Sequence, residues 1–138
     1  MTEATLLLIK PDAVRGRHVG AILARLEAAG FAITGLALRR LNPAQAGEFY
    51  AIHRDKEFFP GLVEFITSGP LVAVRLEAEH ARRRVRELVG VTDPARAAPG
   101  SIRAEFGSSM RMNAVHASNP EEDVEHELAC FFPAGTPA

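Results

Sequence analysis

The sequence predicts an α+β domain in which an antiparallel sheet carries helices packed on one face. Three observations lead there. Short apolar runs and stretches of helical spacing alternate along the chain, punctuated by Gly and Pro. With one inserted helix pair set aside, their order is the split β-α-β-β-α-β arrangement of ferredoxin-like domains. At 138 residues, there is room for one sizeable core and little more, so 1–138 reads as a single domain.

Ala4–Ile9 is an almost continuous apolar run ended by Lys10-Pro11-Asp12, as expected of a buried strand stopping at a turn. His18–Gly30 places Val19, Ile22, Leu23, Leu26 and Ala29 at helical spacing, with Gly30 as the stop. Ile33–Leu41 alternates around Leu36 and Leu38 and reads as a half-exposed strand. Asn42-Pro43 supplies a cap and a first helical residue, and Gln45 completes a capping-box signature. Phe58–Thr67 is a short apolar helix, Leu71–Leu76 a strand, and Glu79–Val89 a helix ending at Gly90. Residues 91–112 hold Pro94, Pro99, Gly100 and Gly107 with little periodicity and are expected to form a long functional loop. Ala114–His116 is a short strand, and a last helix runs from about Glu121 to Ala129, started by Asn119-Pro120 with Glu121 and Glu122 in its first turn. Pro133 opens a loose tail.

Composition narrows the function classes. Sixteen Lys+Arg against seventeen Asp+Glu argue against dedicated nucleic-acid binding. The strands at 4–9 and 71–76 contain none of the aromatics that an RNA-binding sheet presents. The single Cys130 cannot form an internal disulfide, and the run Leu6–Ile9 is too short for a membrane span or signal peptide, so a cytoplasmic protein is expected. No His/Cys/carboxylate group has metal-ligand spacing, and neither Gly-rich phosphate loop nor a Gly-x-Ser-x-Gly elbow is present.

The stretch Asn113-Ala-Val-His-Ala-Ser118 sets an imidazole between an amide and a hydroxyl, with the small Ala114 and Ala117 leaving room for a ligand. Imidazole is one of the few side chains that act as a nucleophile near neutral pH without prior activation. A lone histidine is weak evidence, because most are surface or satisfied core residues; it gains weight only with partners. Lys10 ends the first strand, where a cation is costly unless something uses it. Arg86 lies six residues before Thr92, so a helix end and a loop can bring both to one anion. Arg82, Arg83 and Arg84 read as a charged solvent face, and Arg103 as a loop arginine. Tyr50, His53 and Phe58 fall on or just after a helix beside the expected cleft.

Several motifs in one order, Ile9-Lys10-Pro11-Asp12, Phe58-Phe59, Thr67-Ser68-Gly69-Pro70, Pro99-Gly100-Ser101-Ile102-Arg103 and Asn113-Ala-Val-His116, resemble the nucleoside diphosphate kinase family over essentially the whole chain. The resemblance implies that His116 is transiently phosphorylated in a ping-pong exchange between nucleoside tri- and diphosphates, with broad base specificity. It implies that Lys10 and Asn113 meet the ribose hydroxyls and terminal phosphate, and that Arg86, Thr92 and Arg103 hold the phosphates with His53 nearby. Phe58 would stack on the base, Leu62 line its mouth, Tyr50 sit beside the transferred group, and Glu127 orient His116, with Ser118 in support. Mg²⁺ would travel with the nucleotide and not in a protein cage, and the chain would form a homo-oligomer, a hexamer or alternatively a tetramer. The family usually reads His-Gly-Ser-Asp-Ser where this chain has His116-Ala117-Ser118-Asn119-Pro120, and Gly-Asp-Phe where it has Ala104-Glu105-Phe106. The competing expectation is a non-catalytic ligand-sensing module or a regulatory family member without turnover.

Overall fold

In the computed structural model, which describes residues 2–120 and 124–133, strands β1 (Thr2–Ile9), β2 (Ala32–Arg39), β3 (Leu71–Glu79) and β4 (Val115–Ala117) form one sheet. The strand order is β2-β3-β1-β4 with every pair antiparallel. Helices α1 (Pro11–Arg15) and α2 (Val19–Ala28) link β1 to β2; α3 (Pro43–Phe49), a 3-10 turn at Ala51–His53 and α4 (Phe59–Ile66) link β2 to β3. Helices α5 (Ala81–Val89) and α6 (Ile102–Phe106) precede β4, and α7 (Val124–Phe131) follows it. This is the expected ferredoxin-like α+β architecture.

The helices cover both faces of the sheet, not one. Leu6, Leu7, Leu8 and Ile9 are all fully buried, and their alternation divides them between two cores. Leu7 and Ile9 join Ile22 and Leu26 of α2 and Val85 of α5. Leu6 and Leu8 join Phe49 of α3, Ile66 of α4 and Leu128 of α7. A continuous apolar run is the sequence signature of a strand covered on both faces, whereas a one-faced sheet would alternate. Burying each such side chain contributes about 1.5–3 kcal/mol, so these four residues anchor the domain.

Local chemistry sets the element ends. Asn42 Oδ1 accepts from the Gln45 amide at 2.8 Å and Gln45 Oε1 from the Asn42 amide at 2.9 Å, so the expected capping box forms. Gly30 and Gly90 take left-handed φ values of +94° and +92° just past α2 and α5, conformations that cost glycine little. Pro11 starts the short α1 where the sequence predicts only a turn, because its missing N–H has no helical partner at that position. Strand β3 runs on to Glu79, and α5 begins after a left-handed His80. The loop at 91–112 contains α6, capped by Ser101, whose hydroxyl accepts from the Ala104 amide. Leu36 and Leu38 lie exposed on the edge strand β2. The proposed start of the last helix at Glu121 and Glu122 lies outside the described residues.

Two of the arginines expected to be solvated are structural. Arg84 donates to the carbonyls of Ala29, at 2.6 Å, and Glu79, and stacks 4.8 Å over Phe31. Arg82 donates to the Ala4 carbonyl and pairs with Glu125 of α7. Only Arg83 fits the expected solvent face, pairing loosely with Glu87 one turn on.

Candidate active site

His116 is placed by register. It sits opposite Leu8 in the β1–β4 ladder, and directly opposed residues point to the same face. The imidazole therefore lies on the side covered by α3, α4 and α7, while Val115 and Ala117 enter the core on the other side. Phe49 meets it edge-on at 5.4 Å, and Tyr50 at 6.5 Å. Its Nε2 lies 2.9 Å from Oε1 of Glu127, which also accepts from the Ser118 hydroxyl at 2.5 Å. Nδ1 has no hydrogen-bond partner among the described residues, and the side chain is 25% exposed. Burial alone would raise the Glu127 carboxyl, but the hydrogen bonds and charge from His116, with Ser118 adding a further bond, hold it below the usual range. An ionised Glu127 thus fixes the ring plane and the identity of the free nitrogen.

Around this ring the chain gathers cations. Arg103 donates to the carbonyls of Gly90 at 3.1 Å and Val115 at 2.9 Å, and Arg86 donates to that of Ala117 at 3.2 Å. The carbonyls on either side of His116 therefore each hold a guanidinium. Burial, and then the neighbouring Arg86, bring the Arg103 guanidinium down to about 10. Its Nε is buried without a hydrogen-bond partner.

Lys10 is buried at the end of β1, 5.3 Å above the Phe65 ring. Its ammonium donates to Asn113 Oδ1 at 2.8 Å and to the Arg111 carbonyl at 2.7 Å. Asn113 in turn donates to the carbonyls of Thr92 and Met110, each at 3.0 Å. A strand end, a helix-to-loop junction and the approach to β4 are thereby tied together. Thr92 itself is exposed and joins through its backbone.

The remaining expected residues form a second group. Tyr50 is buried, and burial followed by the charge of Glu127 pushes its hydroxyl above the usual tyrosine range. A row of rings leads outward from His116 through Tyr50 to His53 at 6.4 Å and Phe58 at a further 5.5 Å. Phe58 is 48% exposed, a flat apolar face offered at the cleft mouth, whereas Leu62 packs against the α3–α4–α7 core. Asn119 and Pro120 line a groove with Arg83, Arg86 and Glu87, so the altered flank of the histidine faces one of the site's arginines. Ala117 is ordinary strand, so its methyl carries no backbone penalty; the left-handed residue is Ala114, at φ +74°. Sequence reasoning missed Phe49, which braces the imidazole, and Asp12, whose carboxylate accepts from the Ala114 amide at 3.0 Å. Asp12 stood in the Lys-Pro-Asp motif but signalled only a turn.

An imidazole whose Nε2 is held by Glu127, guanidinium groups on the carbonyls either side of it and an exposed aromatic ring beyond Tyr50 and His53 suit a nucleophile acting on a polyanion that carries a flat group. Similarity to known proteins agrees. The nucleoside diphosphate kinase family model matches residues 3–136. A nucleoside diphosphate kinase of Rhodococcus erythropolis is 50% identical over 135 residues, covering 97% of each chain. One of Campylobacter hominis is 48% identical over 130 residues, covering 94% of this chain and 95% of its own. Among solved structures, the Aquifex aeolicus nucleoside diphosphate kinase superposes with a TM-score of 0.96 at 44% identity over 100% of both chains. That of Halobacterium salinarum, in complex with CDP, gives 0.94 at 41% identity, over 100% of this chain and 92% of its own.

The electrostatics of Lys10 generate a stability prediction. Burial brings its ammonium down to about 8 from 10.5, with Arg103 and Arg111 acting in the same direction and Asp12 opposing them. Between those values the unfolded chain holds a proton at Lys10 that the folded chain has lost, so stability rises with pH across the window. The contribution is about 2–3 kcal/mol between pH 8 and 10. Urea denaturation at the two pH values should show this rise in the natural protein and not in Lys10→Met. Equal pH slopes in the two would refute it.

Proposed function

Because the chain belongs to the nucleoside diphosphate kinase family, it is a phosphotransferase with nucleoside-diphosphate kinase activity, and we propose that the transferred phosphate passes through His116. The observation that carries this reading is the Glu127–His116 hydrogen bond, which leaves Nδ1 as the nitrogen free to attack. The Nδ1 lone pair attacks the terminal phosphorus of a nucleoside triphosphate. The bridging P–O bond breaks, and the diphosphate leaves with that electron pair. A terminal phosphate oxygen of a second diphosphate then attacks the phosphohistidine, the P–N bond breaks, and the pair returns to Nδ1. The covalent intermediate lets one site serve both nucleotides in turn.

In this reading Arg86 and Arg103 exchange backbone carbonyls for phosphate oxygens, and Thr92 adds its hydroxyl. Lys10 and Asn113 meet the ribose hydroxyls and the terminal phosphate, while Phe58 stacks on the base with Leu62 at the mouth and His53 and Tyr50 between base and phosphate. Lys10, Arg86 and Arg103 suit phosphate oxygens and not a metal ion, so these residues fit Mg²⁺ that arrives on the nucleotide. Bound there, the ion would cancel phosphate charge. The bound CDP of the Halobacterium salinarum relative supports nucleotide substrates. Among the described residues no helix is long and apolar enough to cross a membrane, and a lone exposed thiol at Cys130 suits a cytoplasmic setting.

Incubation with γ-labelled ATP and Mg²⁺ should label His116 with an acid-labile, alkali-stable phosphate that GDP, CDP or UDP then removes. Full exchange activity in His116→Ala would overturn the mechanism.

Base selectivity should be weak, because Phe58 offers a π face that any base can use. Catalytic efficiencies for GDP, CDP and UDP are expected to be comparable. A preference of about a hundredfold, roughly 2.7 kcal/mol, would contradict the stacking role.

We read the assembly as a homo-oligomer, a hexamer in the first instance and a tetramer as the alternative. Support comes from the edge strand β2, which leaves Leu36 and Leu38 at 55% and 65% exposure. Light scattering should give a multiple of the chain mass; a stable monomer at micromolar concentration would refute this, and a tetramer would correct only the number.

A further inference from the structure

We propose that Asp12 is a positioning residue for the transfer: its carboxylate binds the Ala114 amide and holds a strained left-handed turn that aims Asn113 and His116 into one site. The inference rests on the reading of His116 as the group that takes the phosphate.

Four observations carry it. Ala114 has φ +74°, a conformation that costs an alanine about 1–2 kcal/mol and does not arise without external restraint. The Val115 amide donates to the Asn113 carbonyl at 2.9 Å across this residue, so Ala114 is the centre of a three-residue turn of the rarer, strained hand. Both polar backbone groups of Ala114 are held by the segment that follows β1. Its N–H donates to Asp12 Oδ2 at 3.0 Å, and its carbonyl accepts from the Lys10 amide at 2.8 Å. Finally, the turn stands between the two side chains that must converge, Asn113 on Lys10 and His116 on Glu127.

Released from its left-handed state, Ala114 would relax toward ordinary extended backbone. That change would rotate Asn113 relative to β4 and separate the Lys10–Asn113 pair from the imidazole. The Lys10 backbone contact would survive loss of the Asp12 side chain, but it restrains only one end of the Ala114 unit. Asp12 Oδ1 is buried without a hydrogen-bond partner. That oxygen adds negative charge beside Lys10, against the positive charges of Arg103 and Arg111 that also face the ammonium. The hydrogen bond that the Asp12 side chain accepts is from the Ala114 amide and not from the imidazole, so its positioning role runs through Ala114.

The discriminating experiment asks whether glycine at position 114 relieves the need for Asp12, since glycine adopts positive φ with little penalty. In Asp12→Ala, kcat for nucleotide exchange and the rate of His116 labelling should both fall at least about tenfold, roughly 1.4 kcal/mol, with KM changed less than about threefold. The same Asp12→Ala change introduced into Ala114→Gly should cost less than about threefold. Asp12→Asn, whose side-chain oxygen can still accept from the amide, should keep most of the rate. If Asp12→Ala is too unstable to assay, Asp12→Ser replaces it, its hydroxyl being one bond too short to reach the amide, and must show the same split. A residue that only stabilises the fold would lower the melting temperature and leave kcat of the folded enzyme unmoved. That result, or an equal loss in both backgrounds at position 114, overturns the proposal. If the natural protein exchanges nucleotides without labelling His116, the histidine mechanism fails; the dependence of kcat on Asp12 and its relief by glycine then still decide the positioning role.

Discussion

Burial of β1 on both faces is the constraint from which the rest follows. Four consecutive fully buried apolar residues leave no solvated side to the centre of the sheet, so helices must be supplied above and below. The connections answer by sending α2 and α5 to one face and α3, α4 and α7 to the other. The face that receives α7 also receives His116, because the histidine is paired with Leu8. Glu127 thus arrives at the imidazole as a by-product of packing Leu128 and Phe131 into the core beneath it. A strand too apolar to be left uncovered is what brings an acid to a base.

The site is assembled with its charges already in place and temporarily satisfied. Arg86 and Arg103 rest on carbonyls of residues 90, 115 and 117, and Lys10 rests on Asn113 and the carbonyl of Arg111. Neutral acceptors of this kind bind a cation more weakly than a phosphate oxygen does, since they carry no full opposite charge and offer a guanidinium no bidentate fit. They are still good enough to keep each long side chain from being disordered. Burial, with neighbouring positive charge acting in the same direction, lowers the proton affinities of Lys10 and Arg103. Preorganised donors that need little rearrangement are what stabilise charge spread over a transferring phosphoryl group.

Much of the architecture was legible because it rests on local chemistry. The apolar run at Leu6–Ile9, the box at Asn42 and Gln45, and the stops at Gly30 and Gly90 each follow from a few adjacent residues. Helical periodicity identifies α2, α4 and α5 but cannot say which side of the sheet each will cover; the two-faced packing was signalled only by the unbroken apolar run of β1, which a one-faced reading overlooked. The roles of Arg82 and Arg84 were hidden for the same reason: their acceptors at Ala4 and Ala29 lie far away in sequence. The short α1 and α6 have too few residues to carry a period. At the site, no local pattern joins Lys10 to Asn113. Resemblance to a family puts them in one site, and in the fold the Lys10 ammonium donates to Asn113 Oδ1. Asp12 and Phe49 escaped because nothing adjacent to either marks it as a partner of the 113–116 segment.

The brevity of β4 has an evolutionary consequence. The strand alternates with a period of two, so His116 faces Glu127 only while an unbroken count connects Asn113 to Ser118, whose amide closes the ladder on the Leu6 carbonyl. Adding or removing one residue there would exchange the two sides, turning the imidazole into the α2–α5 core and presenting Val115 to the ligand. The 91–112 segment is under no such parity rule, because it is held at separate points, Thr92, Arg103, Met110 and Arg111, and not by a ladder. Length variation among descendants of this chain is therefore expected to accumulate between Thr92 and Arg103 and to be excluded from the few residues after Asn113, a boundary drawn by the geometry of pleating rather than by the chemistry of the imidazole.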